Sequence, residues 1–516
     1  MNVFQRAVGV LRNNINAAVG YQQSFEELIK NKDIPRAIAM MEDRSKVAAE
    51  NLRFYHTESH KIMARPRKAI YDKEGNYLRD KDVNRIAIPY QMFINEIALV
   101  FMYGQPVKWS NATPNPFSAE RRDLLDSLDD LVPGTTEYDT AQARIDEIDS
   151  YQSMLDEKFA KFTSTLEEAH FDSCIREAKR VAGCEGCSAM VFHTYQEDEE
   201  AKLRIKVLSK ENNDDIYTMF NEYGKLAAAA WGYNTLDSRR RVVHHYKIYL
   251  PHVTYECNQA TGGAWEVEEV SNPSGKIPLI IFIQDVEWYQ TDTMIERVEL
   301  AQSRTGDSND NFADPALVAT QDILNTLPKQ EEDSKLYVLK NGGEMHYLER
   351  TNNNEARQDE VDKLDSLILK MSFTPNISIE ELKGLSNASG ETLRQIFMLA
   401  YIKADKRKET HDGYLTRTSN LVLSLLDNVL DIPGGGYSDL VVGHEFQDPF
   451  GADLQQVLND LLRQFNAGGL SLETLVSKSY LVKNPEKEME LIKREHEKKQ
   501  KEQRENMLLD VFQQAE

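Results

Sequence analysis

The stretch from Glu355 to Asp427 constrains this chain more than any other, because it alternates a rigid rod, a short connector and a much longer rod. Val361, Leu364, Ile368 and Met371 recur at three- and four-residue steps, which puts all four on one helical face. Phe373-Thr374-Pro375 ends that helix, since a residue before proline is pushed out of helical geometry. A connector follows from Asn376 to Ala388, and Ser389-Gly390-Glu391 restarts a helix, with Ser389 as N-cap and Glu391 favoured by the positive helix end. From Leu393 to about Leu426 there is no proline and only Gly413 interrupts. That run of roughly 35 residues makes about 50 Å of helix at about 1.5 Å per residue. A rod of this length predicts an element that crosses between domains or lies along a subunit boundary.

The totals narrow the class. A chain of 516 residues predicts several domains, because single cores stop growing near roughly 250–300 residues. Apolar residues at 41% and charged ones at 28% fit a globular rather than a disordered chain. Sixty-one basic against eighty-four acidic residues give a net charge of −23, which argues against a protein that grips duplex DNA tightly. The same charge suits a surface past which DNA moves without sticking. Four cysteines argue against a disulfide framework and suit a reducing compartment. Met1 to Arg6 lacks the pattern of a signal peptide, and the apolar run Ile86–Tyr103 carries Gln91, Asn95 and Glu96, so no membrane span is expected.

Along the chain, residues 1–64 read as helical, with Pro35 at the start of a second helix. Arg65–Asp82 reads as extended, with a hairpin turn at Tyr71–Tyr77. Ile88-Pro89 opens an apolar helix that Gly104-Gln105-Pro106 closes. Asn111–Glu157 is acidic and helical around a Pro133-Gly134 break, and 158–182 continues as helix. Residues 189–192, 202–208, 242–250, 253–257, 264–270 and 277–282 then read as strands, which makes the class α+β. A short helix is expected around Met294, Val298 and Ala301, loosened by Arg304–Asn309. Lys335–Glu349 reads as a hairpin of 336–339 against 345–348, turning at Asn341-Gly342. After the long rod come a Pro433–Gly436 linker, a strand through 440–446 and a helical C-terminal part from about Ala452.

No motif points to catalysis. Cys184-Glu185-Gly186-Cys187 has the spacing of a metal or redox pair, but no second paired spacing accompanies it, and ordinary buried cysteines are the favoured reading. His244 and His245 adjoin on a strand and so face opposite sides. His444-Glu445 fails as a zinc-protease motif because Asp448 stands where the second histidine belongs, and Gly224-Lys225 and Gly275-Lys276 lack the first glycine of a phosphate loop. No cofactor, metal ligand or catalytic residue is assigned. The cluster Lys403, Lys406, Arg407 and Lys408 reads as a solvated or subunit-facing salt-bridged surface rather than a phosphate contact.

Taken in order, several segments resemble the portal proteins of tailed double-stranded DNA bacteriophages. Arg85–Tyr90 through Tyr103-Gly104-Gln105-Pro106-Val107 resembles the family's early apolar helix and its ending. Gly186–Phe192 and Ile277–Phe282 are similar to its strands, and Asn387-Ala388-Ser389-Gly390-Glu391-Thr392-Leu393 to its junction of tunnel loop and long helix. Phe446–Pro449 and Gly468–Thr474 resemble its closing segment.

The resemblance implies the portal fold of wing, stem, clip and crown, with long helices around a central channel. It places the wing at 1–286, with 111–157 as an acidic elaboration, and stem helices at 287–311 and 355–372 around a clip at 312–354. The tunnel loop falls at 373–388, the long helix and returning wing strand at 389–451, and the crown at 452–516. It also implies a homo-oligomeric ring, a dodecamer, at one capsid vertex of the virion, assembled in the host cytoplasm. Double-stranded DNA would pass non-specifically through the channel, by Asn376, Lys383, Ser386 and Asn387. Tyr337, Lys340, Asn341 and Tyr347 would dock the terminase large subunit and then head–tail adaptor or neck proteins. Major capsid protein and scaffolding protein are further expected partners, and a membrane is not. A non-portal virion scaffold or head–tail adaptor is the alternative that long helices and acidic charge also allow.

Overall fold

The computed structural model describes residues 19–312 (except 73, 129–130, 199 and 261), 317–319, 345–347, 354–376, 394–431, 434–449, 454–479 and a few positions up to 494. The chain divides into two compact units, Met1–Ile379 with Ile396–Gln447, and Glu380–Gln395 with Asp448–Glu516.

The larger unit begins with α1 (Val19–Lys30) and α2 (Ile34–Ala39), the latter with Pro35 in its first turn. A two-residue strand β1 (Glu42–Asp43) interrupts the expected helical run before α3 (Ser45–Tyr55). The hairpin of β2 (Lys68–Tyr71) and β3 (Tyr77–Lys81) follows as read from the sequence. Helix α4 (Tyr90–Tyr103) is apolar on most faces, and strand β4 (Lys108–Asn111) leads to the acidic pair α5 (Ser118–Leu128) and α6 (Thr136–Glu168). Thr135 caps α6 by accepting from the Tyr138 amide. The helix expected over 158–182 is in fact two: His170, at φ 52°, separates α6 from α7 (Phe171–Glu185).

Gly186 ends α7 at φ 85°, where a side chain would be strained, and the chain turns directly into β5 (Cys187–Glu197). Strands β5, β6 (Glu200–Leu208) and β12 (Leu279–Ile283) form an antiparallel sheet in the order β12-β5-β6. Its apolar runs are continuous because both faces are covered. Met190, Phe192, Ile280 and Phe282 enter one core with α4, α6 and α7, while Cys187, Ala189, Val191, Leu279 and Ile281 enter a second. That second core is shared with a six-stranded antiparallel sheet, β1-β7-β8-β9-β10-β11. Its remaining strands are β7 (Asp215–Phe220), β8 (Leu226–Leu236), β9 (Val242–Tyr249), β10 (Val253–Gln259) and β11 (Trp265–Ser271). Its other face closes on α1 and α2 through Phe25, Ile29 and Ile34.

Helix α8 (Asp292–Phe312) runs unbroken through the 304–309 stretch, correcting the expected loosening there. Gly306 lets Asn84 approach, since a Cβ on it would lie 3.2 Å from the Asn84 amide carbon. Asp307 accepts from the Asn84 backbone N–H and pairs with Arg65 at 2.6 Å, so the polar run is held from outside the helix. Strand β13 (Leu317–Ala319) pairs antiparallel with β14 (Met345–Tyr347). The described partner of 345–347 is thus 317–319 rather than 336–339, which lie outside the described residues.

Helix α9 (Asn354–Met371) lies beside α8: Val361 and Ile368 share a core with Ile295 and Val298, and Arg297 pairs with Glu360. Helix α10 (Met398–Leu425) has 28 residues, about 42 Å at about 1.5 Å per residue, and passes into a π-helical turn at Leu426–Leu430. Gly413 does not interrupt it. Rather than bridging the two units, α10 lies within the larger one, with buried residues from Ala400 to Leu425. Strand β15 (Val442–Glu445) returns to pair with β4. The smaller unit holds α11 (Leu454–Asn466), α12 (Leu472–Lys478) and the Arg394–Asp448 ion pair at 2.9 Å.

Candidate functional site: a buried charge knot at the base of segment 377–393

Four elements of the larger unit meet at one carboxylate. The Glu287 side chain is fully buried between β12 and α8, where its backbone N–H donates to the Gly183 carbonyl at 3.0 Å. Lys179 reaches it from α7, where Ile175, Ala178 and Ala182 make the rest of the buried face. Lys403 and Arg407, one helical turn apart on α10, approach at 3.1 and 3.4 Å. Gln284 donates to the same carboxylate at 2.8 Å. Burial alone would raise the Glu287 carboxyl, but the three cations hold it well below the usual carboxylate range. Burial lowers Lys403 to about 8 despite the attraction of Glu287, and it lowers Lys179 as well.

The next turn of α10 continues the network. His411 is buried, and burial together with Lys179 and Arg407 keeps its imidazole neutral, well below the ordinary histidine range. Gln284 gives its amide N–H to Glu287, so its oxygen accepts from His411 Nε2, and His411 Nδ1 accepts from the Tyr103 hydroxyl at 3.0 Å. Gly183 makes room for this packing, because a Cβ there would lie 1.9 Å from the Asn95 amide oxygen.

The knot also fixes the flanks of the connector. Lys403 Nζ donates to the carbonyl oxygens of Glu287 at 2.9 Å and Ser372 at 3.0 Å. Ser372 caps the end of α9, and Phe373 takes a left-handed φ of 55°. Thr374 is buried, its N–H donating to the Leu369 carbonyl at 2.8 Å. On the returning side Phe397, the residue before α10, and Tyr401 of α10 pack on Phe101 of α4, ring centroids 5.7 and 5.3 Å apart. The chain therefore leaves and rejoins the larger unit at one place.

Of the expected channel residues, Asn376 is exposed two positions beyond buried Thr374, and Lys383, Ser386 and Asn387 lie outside the described residues. Of the expected docking residues, Tyr347 ends β14, its backbone paired with Leu317, and Tyr337, Lys340 and Asn341 lie outside the described residues. The basic cluster needs correction. Lys403 and Arg407 point inward at Glu287, and Lys408 pairs with Asp405 and sits 5.8 Å from the Phe446 ring centre, leaving only Lys406 exposed. Spacing explains it: 403, 407 and 411 follow at four-residue steps along one stripe, while 406 is rotated about 100° from 407 and out of that stripe. Sequence reading missed Glu287, Lys179 and His411 altogether; a lone lysine among alanines and isoleucine on α7 was the available signal.

Cys184 and Cys187 are buried at the α7–β5 turn, and burial pushes the Cys187 thiol up to about 12 and the Cys184 thiol up as well. Among the described residues no group of three or more His, Cys, Asp or Glu side chains is arranged to hold a metal ion, and no helix is long and apolar enough to cross a membrane.

Solved structures that match this chain include the neck of an empty gene transfer agent particle computed with C6 symmetry, at 10% identity and a TM-score of 0.36 over 75% of this chain and 87% of that one. The neck of the native particle computed with C12 symmetry gives 9% and 0.35 over 75% and 88%. The virion of the native particle gives 11% and 0.31 over 75% and 87%. No curated protein matches by sequence. The family model for phage portal protein, SPP1 Gp6-like, matches residues 38–502. With nearly its whole length matched, the chain belongs to the SPP1 Gp6-like family of phage portal proteins.

Proposed function

We propose that this chain forms the portal ring at one capsid vertex, a conduit for double-stranded DNA in packaging and ejection. In this reading the ring, a dodecamer, docks the terminase large subunit and later head–tail adaptor or neck proteins. Major capsid protein and scaffolding protein would meet it during assembly in the host cytoplasm. The family match over 38–502 carries the reading. The side-by-side α8 and α9 suit the two stem helices, with 312–354 between them as clip, 373–388 as tunnel loop and 452–516 as crown. A loop whose base is fastened to a buried knot suits repeated contact with a moving duplex. Net charge −23 per copy favours sliding over adhesion, since phosphates are repelled rather than gripped. No catalytic step is assigned to the ring; the motor that docks on it would supply the work.

Negative-stain images of the purified full-length chain test this. Rings with an axial hole are expected, and a compact monomer at every concentration would overturn the reading.

A further inference from the structure

The larger unit carries a cleft of about 400 Å³ between the β7–β8 hairpin, the turn before β12 and one face of α10. Lys225, Lys276 and Arg417 line it, and no carboxylate does. This is an unusual concentration of positive charge on a chain of net charge −23. Lys276 donates to the Asn420 carbonyl at 2.6 Å, which holds its ammonium at the rim. Arg417 is half-buried and has no hydrogen-bond or ion-pair partner among the described residues. Burial lowers its guanidinium below the ordinary arginine value, as expected for a desolvated cation lacking a counter-charge. Leu226, Ile277 and Leu421 supply apolar walls.

Gly413 is the second observation. It lines the cleft from the middle of α10, where glycine costs about 1 kcal/mol relative to alanine. Nothing among the described residues requires it, because a Cβ there would meet no atom within 4 Å. A glycine that the chain's own packing does not need, facing an open cationic cleft, fits a site that something else enters.

We propose that this cleft is a socket for carboxylate side chains of a neighbouring copy of the same chain. The inference rests on the ring reading above. A closed ring of identical chains uses head-to-tail contacts, which join two different, complementary patches on each copy. The cleft supplies the cationic patch, and an acidic chain supplies carboxylates in quantity: β11 alone exposes Glu266, Glu268 and Glu269 beside an exposed Val270. Apolar walls around the cations favour a carboxylate carried on a protein segment over a freely hydrated anion. An ion pair formed there would be largely desolvated, so removing one partner would speed dissociation of the copies.

The test uses full-length protein assembled from equal parts of isotope-labelled and unlabelled chains, with a photo-crosslinking amino acid at Thr416 on the cleft rim. In intact rings, irradiation should join Thr416 to a carboxylate-bearing peptide of a differently labelled copy. Arg417→Glu should lower the ring population at a fixed protein concentration by about tenfold or more. Gly413→Leu should fill the cleft and abolish the cross-link without lowering the thermal midpoint of the single chain, since leucine is the better helix former. Rings that cross-link only within one chain, or whose population Arg417→Glu leaves unchanged, overturn the socket but leave the portal reading standing. Cross-linking to DNA in filled particles also overturns it and assigns the cleft to phosphate. If the wild-type chain forms no rings, the portal reading falls, and this inference with it.

Discussion

The Lys403 ammonium donates to the Ser372 carbonyl oxygen at 3.0 Å, joining positions 31 residues apart in the chain. The same nitrogen lies 3.1 Å from a Glu287 oxygen, so the end of α9, the start of α10 and the approach to α8 share one buried charge. Removing that charge tests the arrangement directly. Glu287→Gln leaves three cations facing one another without a counter-charge and should cost about 3–5 kcal/mol, read from the urea midpoint. A loss below about 1 kcal/mol, the range of surface ion pairs, would show that the knot is not the fastening described.

Stability should fall as pH rises through neutrality. Burial raises the Glu185 carboxyl to about 7 and the Asp292 carboxyl to about 6. Burial would lower His60, but Glu299 at 2.6 Å more than offsets it, and the ring is raised. All three hold protons more tightly when folded, so the folded state loses stability as those protons leave. The His60 contribution is complete below its ordinary value of 6.5 and disappears as pH climbs through the raised one. The carboxyl contributions disappear between the ordinary carboxylate range and about 7. Lys403, lowered to about 8 from 10.5, acts in the opposite sense and restores stability only between those two values, while His411 and His193, held below the ordinary histidine value, oppose the fall until pH reaches 6.5. Thermal midpoints should therefore fall between about pH 6.5 and about 7.5, and Glu185→Gln should flatten that slope. A midpoint rising steadily across that interval would contradict the assignment.

Gly306 should tolerate no branched side chain. Gly306→Val pushes on Asn84, whose side chain and backbone N–H are held by Asp310 and Asp307, and should destabilise by about 1–3 kcal/mol. Calorimetry of the variant decides, and an unchanged midpoint would mean that Asn84 moves aside freely.

The thiols at 184 and 187 should resist chemistry. With burial holding both well above the ordinary thiol value, iodoacetamide at about pH 8 should leave them unmodified until the chain unfolds. Rapid labelling of either in the folded protein, read by mass spectrometry, would reopen a redox role.

Lys383→Glu tests the channel assignment. Reversing a cation in the proposed tunnel segment should alter packaged genome length or DNA retention in particles. Wild-type values of both would remove Lys383 from the channel.

The sequence made much of this fold legible where one local signal dominates. The β2–β3 hairpin, the α4 boundaries at Pro89 and Gly104, and the apolar β12 follow from turn chemistry and composition. Strand β8 was illegible because it carries Ala227–Ala230, residues with little strand preference that suit a sheet only because small side chains fit between its two cores. Strand β7, with Ile216, Tyr217, Thr218 and Phe220, carried a strand signal that sequence reading passed over. The knot was illegible for another reason. Lys403 and Arg407 look solvated in a run of charges, and the partner that draws them inward lies more than a hundred residues earlier. The α8 stretch at 304–309 looked weak because its support, Arg65 and Asn84, lies more than two hundred residues earlier.

Clamping Ser372 to Lys403, with Thr374 and Phe397 packed inside that clamp, makes the stretch 377–393 a replaceable cassette. With its two ends already held, lengthening the insert adds only a logarithmic entropy penalty, about 0.6 kcal/mol per doubling by loop-closure entropy. Relatives or engineered variants can accordingly change residues 377–393 while the surrounding architecture stays as it is.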